Sequence, residues 1–187
     1  ACGPLFAAYI VPSPANLNLP AGSWRGVECE FGFRMSRNLP ARDALYTLDE
    51  VVAATGHLYP AIEVVDSRVA TGAKNGGVAV IADHCGNAAF VYGTEVPDWR
   101  GLDLAAATVD LKVDGDVVVS GSGEAVMGNP VNSLVWIANY RSRLGDGLKS
   151  GDWVTTGSTM GIFKAPPGSS VVADFGALGT VELVFAT

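Results

Sequence analysis

Three acidic residues in two short segments carry the clearest chemistry in the sequence. Glu28 and Glu30 are one residue apart in GVECEFGF, and Glu63 lies inside the apolar run YPAIEVVDSR. Alternate side chains of a β-strand share a face, so we expect Glu28 and Glu30 on one face with Val27 and Cys29 on the other. Neighbouring carboxylates repel each other unless water or a cation separates them. The pattern therefore predicts a metal site.

A second interpretation of the same residues stays open at this point. Glu28 and Glu30 are also typical of an amphipathic strand whose glutamates face water, in which case Glu63 would be unrelated to them. If a metal does bind, the ligands are all oxygen atoms, with no His or Cys among them. Such a ligand set favours a hard divalent cation.

Two helices are predicted among the elements that must position these residues. TLDEVVAATG begins with Thr47 as N-cap, Glu50 completes a capping box, and Gly56 is expected to end the helix. GNPVNSLVWIANYRSRLG has Asn129 as N-cap before a proline at the first helical position, and Gly145 is expected to end it.

Strand patterns dominate the rest of the chain. ATVDLKVDGDVVVSG predicts a hairpin with a type I′ turn at Asp114 and Gly115. VAVIADH, AAFVYG and DWVTTGS are predicted as short strands, and SSVVADFGALGTVELVF as two more joined by a glycine-rich turn. Because the sequence shows no linker and no internal repeat, we expect one domain over residues 1–187. This domain should belong to the α+β class and be mainly β.

Composition narrows the range of partners and compartments. The formal net charge of −7 argues against nucleic acid or an anionic membrane surface as a partner. No apolar stretch approaches the roughly 20 residues of a membrane-spanning helix. Three widely spaced cysteines form no CxxC pair, so we expect free thiols and a reducing, cytoplasmic location.

The ordered series of motifs resembles the fumarylacetoacetate hydrolase superfamily, and within it the branch of 2-keto-4-pentenoate hydratases and 4-oxalocrotonate decarboxylases. The blocks that carry the resemblance run from CGPLF near the start to VELVF near the end. They are, in order, GVECEFGF, LPARDALYTLDEVVAA, HLYPAIEVVDSR, IADHCGNAAFVYG, GNPVNSLVWIANYRSRLG, GDWVTTGS and VVADFGALGTVELVF.

The resemblance implies a fold, a cofactor and a substrate class. The fold would be a rolled, barrel-like mixed sheet with peripheral helices, assembled into a homo-oligomer. Glu28, Glu30 and Glu63 match the family positions that hold a divalent cation, Mg²⁺ or Mn²⁺. The substrate would be a small 2-keto acid whose C2 oxygen the metal polarises.

Candidate acid/base residues follow from the same blocks. Asp66 would orient a metal-bound water, or form an ion pair with Arg68 instead. Asp83 and His84 occupy the place of an Asp-Asn-like pair that lines the pocket in relatives. His84 suits a proton shuttle near neutral pH, and a purely structural hydrogen-bonding role is the alternative.

Two further residues are candidates for binding the substrate. Lys74, in the loop TGAKNGG, would meet a substrate carboxylate if the loop closes, and is otherwise solvated. Ser158, in TTGST, corresponds to a family turn near the pocket, where its hydroxyl would bind the substrate or stabilise the turn.

The resemblance implies a metal-dependent lyase that hydrates a 2-hydroxy-2,4-dienoate to a 4-hydroxy-2-keto acid in aromatic-compound catabolism. Relatives carry an additional N-terminal segment with a lysine and an acidic residue, which the given sequence lacks. We therefore keep two alternatives. One is a decarboxylase or C–C hydrolase acting on a related 2-keto acid, and the other is a non-catalytic relative.

Overall fold

The computed structural model describes residues 2–69 and 76–186. Most of the regular structure is strand, and three α-helices lie at the periphery of the sheets. The strands are β1 (Ile10–Pro12), β2 (Ala15–Leu17), β3 (Gly26–Met35), β4 (Thr55–Val65), β5 (Asn87–Tyr92), β6 (Thr108–Val113), β7 (Asp116–Ser122), β8 (Trp153–Thr155), β9 (Phe163–Lys164), β10 (Ser170–Asp174) and β11 (Thr180–Phe185). The helices are α1 (Leu48–Ala54), α2 (Gly77–Ala82) and α3 (Pro130–Arg143).

The strands form two mixed sheets. The first has the order β1-β5-β4-β3-β8, and the short β9 also pairs with β3. The second has the order β2-β11-β10-β6-β7. The β1–β5 and β2–β11 pairs are parallel and the other pairs are antiparallel. The mainly β, α+β architecture predicted from the sequence is therefore confirmed.

The hydrophobic core lies between the two sheets, and strand β3 shows how the sequence builds it. Val27, Cys29, Phe31 and Phe33 alternate along β3 and are at most 1% exposed. The ring of Phe31 meets the ring of Phe175, just after β10, at a centroid distance of 5.4 Å. Because the back of β3 is buried in this way, the strand's other face is left to carry Glu28 and Glu30.

Helix α1 begins as predicted but ends differently. Thr47 is the N-cap, and Thr47 and Glu50 exchange the hydrogen bonds of a capping box. The predicted stop at Gly56 is wrong, because Thr55 ends the helix in an extended conformation and the chain continues directly into β4. A Cβ at Gly56 would lie 2.8 Å from the Cβ of Ser36, so this glycine permits close packing between neighbouring segments.

Helix α3 and the predicted hairpin are confirmed. Asn129 accepts a hydrogen bond from the backbone of Val131 at the start of α3. The helix ends at Arg143, and Gly145 follows with a φ of 86°. Between β6 and β7, Asp114 and Gly115 both have positive φ values, 52° and 94°, as a type I′ turn requires.

The segment VAVIADH does not form the predicted strand. Residues 77–82 form helix α2, whose side chains Val78 and Ile81 are 83% and 57% exposed. Local hydrogen bonds satisfy the backbone here, among them the one from Asp83 N to the carbonyl of Ala79. These bonds override the strand preference of β-branched residues, which is weak away from a sheet.

No helix in the described parts of the chain is long and apolar enough to cross a membrane.

Candidate metal centre

The three acidic residues predicted as ligands lie together on one face of the first sheet. Glu28 and Glu30 come from β3, and Glu63 comes from the neighbouring strand β4. Each residue offers a carboxylate oxygen, and these three oxygens lie within 4.8 Å of one another. Glu30 is 1% exposed, whereas Glu28 and Glu63 are partly exposed. The interpretation in which Glu63 is unrelated to the other two is therefore wrong.

Two neutral groups fix the orientation of these carboxylates. The backbone N–H of Gly157, in the loop after β8, donates to Glu30 Oε2 at 2.9 Å. The side-chain amide of Asn87, at the start of β5, donates to Glu63 Oε1 at 2.7 Å. Among the described residues, no lysine or arginine forms an ion pair with any of the three. The cluster therefore has two orienting donors but no ion-pair partner within residues 2–69 and 76–186.

Burial and mutual repulsion raise the pKa of every member of the cluster. Burial and then the charge of Glu63 raise the pKa of Glu28 to about 7, against a weaker opposing effect of the Ser158 hydroxyl. The pKa of Glu30 is well above its ordinary range, because the side chain is fully buried and close to Glu63. Burial also raises the pKa of Glu63, although the bond from Asn87 opposes this. Without a cation, the ionised forms are unfavourable.

These residues fit a divalent cation. All the ligand atoms are carboxylate oxygens, which hard cations such as Mg²⁺ and Mn²⁺ prefer. A cation among them would replace repulsion with attraction, and both orienting donors would still hold their carboxylates in place. Three carboxylates also leave coordination positions open for a substrate.

The three carboxylates line a cavity of about 700 Å³. Apolar side chains, among them Met127, Trp136, Leu148 and Trp153, line the cavity together with polar and charged ones such as Arg141 and Asp152. A smaller cavity of about 250 Å³ lies beside α1 and the start of α3, and none of the predicted site residues lines it. A wall of mixed apolar and polar groups is typical of sites for small organic ligands.

Asp66 does not take either of its predicted roles. It is not part of the cavity wall. Its carboxylate accepts hydrogen bonds from the backbone N–H groups of Trp24, at 2.9 Å, and Ser67, at 2.8 Å. The predicted ion pair with Arg68 is also wrong, since Arg68 pairs with Asp83. Although burial acts to raise it, the pKa of Asp66 is lowered by these bonds and one from Ser23. Asp66 therefore stabilises the chain after β4.

Asp83 forms an ion pair with Arg68 and does not line the cavity. Arg68 Nε donates to Asp83 Oδ1 at 2.6 Å, and the backbone N–H of Arg68 donates to Oδ2 at 2.9 Å. Although burial acts to raise it, the pKa of Asp83 is lowered by these bonds and one from Ser67. The prediction that Asp83 lines the pocket is therefore wrong. Its side chain ties the turn after α2 to the segment that follows β4.

His84 and Ser158 both lie on the wall of the cavity that contains the carboxylates. The ring of His84 meets the ring of Phe6 edge to face, at a centroid distance of 4.8 Å. The hydroxyl of Ser158 donates to the carbonyl of Gly161 at 2.8 Å, as the turn-stabilising interpretation expects. Lys74 lies outside the described residues.

Asn87 was missed at the sequence level, although it contacts one of the carboxylates directly. The only signal available was a polar residue in IADHCGNAAFVYG, at the point where an apolar strand begins. Its contact depends on the pairing of β5 with β4, which places Asn87 opposite Val65 at a register shift. Sequence spacing alone does not reveal such a pairing.

Comparisons with known proteins agree with this geometry. A family model described as fumarylacetoacetate (FAA) hydrolase C-terminal matches residues 6–185. A 2-keto-4-pentenoate hydratase of Burkholderia vietnamiensis is 32% identical over 186 residues, which make up 98% of this chain and 69% of that protein. A 4-oxalocrotonate decarboxylase of Pseudomonas putida is 28% identical over 138 residues, 74% of this chain and 52% of that protein.

Solved structures show the same likeness. The 4-oxalocrotonate decarboxylase of Pseudomonas putida G7, complexed with magnesium and adipate, has a TM-score of 0.84 and 26% identity, over 98% of this chain and 68% of that one. A fumarylpyruvate hydrolase of Pseudomonas aeruginosa, in complex with Mn²⁺ and pyruvate, shares the fold at a TM-score of 0.72 and 14% identity, over 96% of this chain and 76% of that one.

Proposed function

Since the chain belongs to the fumarylacetoacetate hydrolase family, we propose that its three carboxylates bind a divalent cation, Mg²⁺ or Mn²⁺, and that it is a metal-dependent lyase. The reaction proposed is hydration of a 2-hydroxy-2,4-dienoate to a 4-hydroxy-2-keto acid. The observation that carries the proposal is the convergence of Glu28, Glu30 and Glu63 on the wall of one cavity.

The cation would be held by Glu28, Glu30 and Glu63. When bound, it supplies Lewis-acid stabilisation of negative charge on a substrate oxygen. The chain's contribution is orientation, because Gly157 and Asn87 hold Glu30 and Glu63 through hydrogen bonds. Such neighbours of metal ligands typically change metal affinity or activity by about 10–100-fold when they are removed.

The apolar part of the cavity would receive the carbon chain of the substrate. Trp136, Leu148 and Trp153 line this part, and their side chains limit the water around a bound ligand. Limited water would strengthen the attraction between a cation held by the three carboxylates and the anionic head of a 2-keto acid.

His84 is the residue we propose as the proton carrier. It lines the same cavity as Glu63 and Asn87, and an imidazole ring can both accept and donate a proton. Proton transfer by a positioned side chain contributes typically about 10²–10⁴-fold to a rate. Ser158, also on the wall, would assist by fixing the turn beside Glu28.

Decarboxylation of a related 2-keto acid is the second candidate. Its support is the likeness to the Pseudomonas putida G7 decarboxylase, whose identity of 26% is lower than the 32% shared with the hydratase. The same stabilised enolate serves both reactions, because each develops negative charge on the C2 oxygen. Product analysis separates them, since only decarboxylation releases CO₂.

The test is an assay of the purified chain with 2-hydroxypenta-2,4-dienoate and Mg²⁺, which follows the loss of dienol ultraviolet absorbance. We expect turnover that a chelator abolishes and that Glu63→Gln removes. Glu182→Gln is the matched control, because Glu182 is exposed on β11 in the second sheet. Intact cation binding without turnover on dienoates or 2-keto diacids would contradict the lyase assignment.

A homo-oligomer stays a prediction, which light scattering would check.

A further inference from the structure

Asn87 carries a buried side-chain oxygen that receives no hydrogen bond from the described parts of the chain. The residue begins β5, is 3% exposed and forms part of the cavity wall. Its Nδ2 donates to Glu63 Oε1 at 2.7 Å. Its Oδ1 is the one buried side-chain nitrogen or oxygen within residues 2–69 and 76–186 that has no hydrogen-bond partner. Buried polar groups are nearly always paired, so this oxygen indicates a missing partner.

The backbone around Asn87 holds the side chain in this position. Arg68 Nη1 donates to the carbonyl of Asn87 at 3.0 Å. The three preceding residues, His84, Cys85 and Gly86, all have positive φ values, of 55°, 58° and 83°. The backbone of Gly3 packs so closely on this turn that a Cβ there would lie 2.8 Å from the carbonyl oxygen of His84. The backbone that carries the Asn87 side chain is thus held by contacts on several sides.

The chemistry of the neighbours decides what the missing partner is. With a cation bound, Glu63 is ionised, so a turned amide would set its oxygen against the carboxylate and two acceptors would meet without a proton between them. With Nδ2 committed to Glu63, Oδ1 can only accept. The adjacent carboxylates are themselves acceptors when ionised. Because Asn87 lines the cavity, the available donor is an O–H group of whatever occupies the cavity.

We propose that Asn87 is a positioning and specificity-determining residue, whose Nδ2 fixes Glu63 and whose Oδ1 accepts a hydrogen bond from an O–H group of the cavity's occupant. The inference rests on the proposed function, because it assumes a cation at the three carboxylates. The O–H group belongs either to a hydroxyl of the organic ligand or to a water molecule. In both cases the amide oxygen favours a donor over a bare carbonyl oxygen at this position.

This arrangement would discriminate between otherwise similar acids. A 2-hydroxy acid presents an O–H where the corresponding 2-keto acid presents only an acceptor. A binding site that pairs with a ligand's hydroxyl rejects the analogue that lacks it, because the buried group of the protein is then left unpaired. Lactate and pyruvate differ only at this atom and serve as a matched pair of probes.

The experiment measures binding by calorimetry, first of Mn²⁺ to the full chain and then of lactate and pyruvate to the Mn²⁺-loaded protein. The variant is Asn87→Leu, which keeps the size and removes both polar atoms, with Asn87→Ala as a second variant in case leucine does not fit. Asn16→Leu is the matched control, since Asn16 is exposed on β2. Melting curves establish that each variant is folded.

We expect Asn87→Leu to weaken Mn²⁺ binding by about 10-fold or more, because Glu63 loses its orienting donor. If the donor is the ligand's own hydroxyl, the preference for lactate over pyruvate falls by about 10-fold as well. If it is water, that preference is unchanged, and water-proton relaxation by bound Mn²⁺ changes in Asn87→Leu and not in Asn16→Leu. The first result supports both roles of Asn87, whereas the second supports its positioning of Glu63 and of a water molecule and overturns its role in specificity.

Folded Asn87→Leu and Asn87→Ala proteins that bind Mn²⁺, lactate and pyruvate within about twofold of the unmodified chain would overturn the proposal. That result leaves the metal centre itself intact. An unmodified chain that binds no divalent cation would instead overturn the proposed function, and the role of Asn87 with it. The two failures are therefore distinguishable.

Discussion

Glu28 and Glu63 lie directly opposite each other in the antiparallel ladder between β3 and β4. Like charges at directly opposed positions destabilise a strand pair. The neighbouring Glu30 adds a third carboxylate, and the whole cluster is held without a compensating lysine or arginine among the described residues. The pairing is therefore complementary to a cation and unfavourable without one.

Replacing the most buried carboxylate tests this relationship most directly. We expect Glu30→Gln to weaken Mg²⁺ or Mn²⁺ binding by about 100-fold or more, since a ligand is lost and not only its orienting neighbour. The melting temperature of the cation-free protein at pH 8 should rise, because the substitution removes a buried carboxyl group whose raised pKa makes its ionisation unfavourable in the folded state. Calorimetric titration and thermal melts measure the two effects.

The matched control is again Glu182→Gln, which removes one negative charge from an exposed position on β11. It should leave cation affinity within about twofold, because exposed charges are well screened. Equal losses of affinity in Glu30→Gln and Glu182→Gln would show that net charge attracts the cation and that the cluster does not bind it specifically.

The cation-free protein should become less stable as the pH rises from about 4.5 to above 7. Glu28 has a folded-state pKa of about 7 against an ordinary value of 4.5, and the pKa values of Glu30 and Glu63 are also raised. Over that range the folded state keeps protons that the unfolded chain has released, so their contribution to stability is lost as the pH rises. Thermal melts across this range measure the trend.

Groups whose pKa values are lowered do not reverse this fall in folding stability with rising pH. Asp83, for example, contributes stability that is lost only as the pH falls below its ordinary value of 3.8. Added Mg²⁺ should oppose the trend, because binding requires ionised carboxylates and strengthens as the pH rises. A melting temperature independent of pH between 5 and 8 in the chelated protein would contradict the raised pKa values.

Asp83→Asn should affect folding stability and leave the metal centre largely intact. The substitution removes the charge that pairs with Arg68, and charge-assisted hydrogen bonds contribute about 1.5–3 kcal/mol each. We therefore expect a fall in the melting temperature of several degrees. Cation affinity should change by less than about threefold, because Asp83 does not line the cavity. A large loss of affinity with unchanged stability would restore a direct role for Asp83 in the site.

His84→Asn separates proton transfer from backbone geometry. His84 has a φ of 55°, and asparagine tolerates this left-handed conformation better than most residues. We expect folding and cation binding to be preserved, while turnover falls by about 10²-fold or more because the proton carrier is lost. Unchanged turnover would assign His84 a structural role, through its contact with Phe6.

Local patterns predicted much of the fold. The capping box at Thr47, the N-cap at Asn129 and the turn at Asp114 depend on residues close together in sequence, and the structure contains all three. The alternation along β3 placed Glu28 and Glu30 on one face for the same reason. The meeting of these two with Glu63 was expected from the family resemblance, and spacing alone left it open.

Long-range pairing explains what the sequence did not show. Asp83 and Arg68 are 15 residues apart, and their contact depends on how the turn after α2 folds back. This contact replaced both the predicted pair of Asp66 with Arg68 and the predicted place of Asp83 at the pocket. Asn87 was missed for a similar reason, since its neighbour Glu63 is 24 residues earlier in the chain.

The convergence of the three carboxylates depends on one alignment of strands β3 and β4. A shift of β4 by one residue along β3 would place Ile62 or Val64 opposite Glu28 and turn Glu63 towards the core. High-affinity cation binding therefore requires the native register, and a collapsed chain with misaligned strands would lack it. During refolding, the recovery of cation binding would mark the moment at which these two strands reach their final alignment.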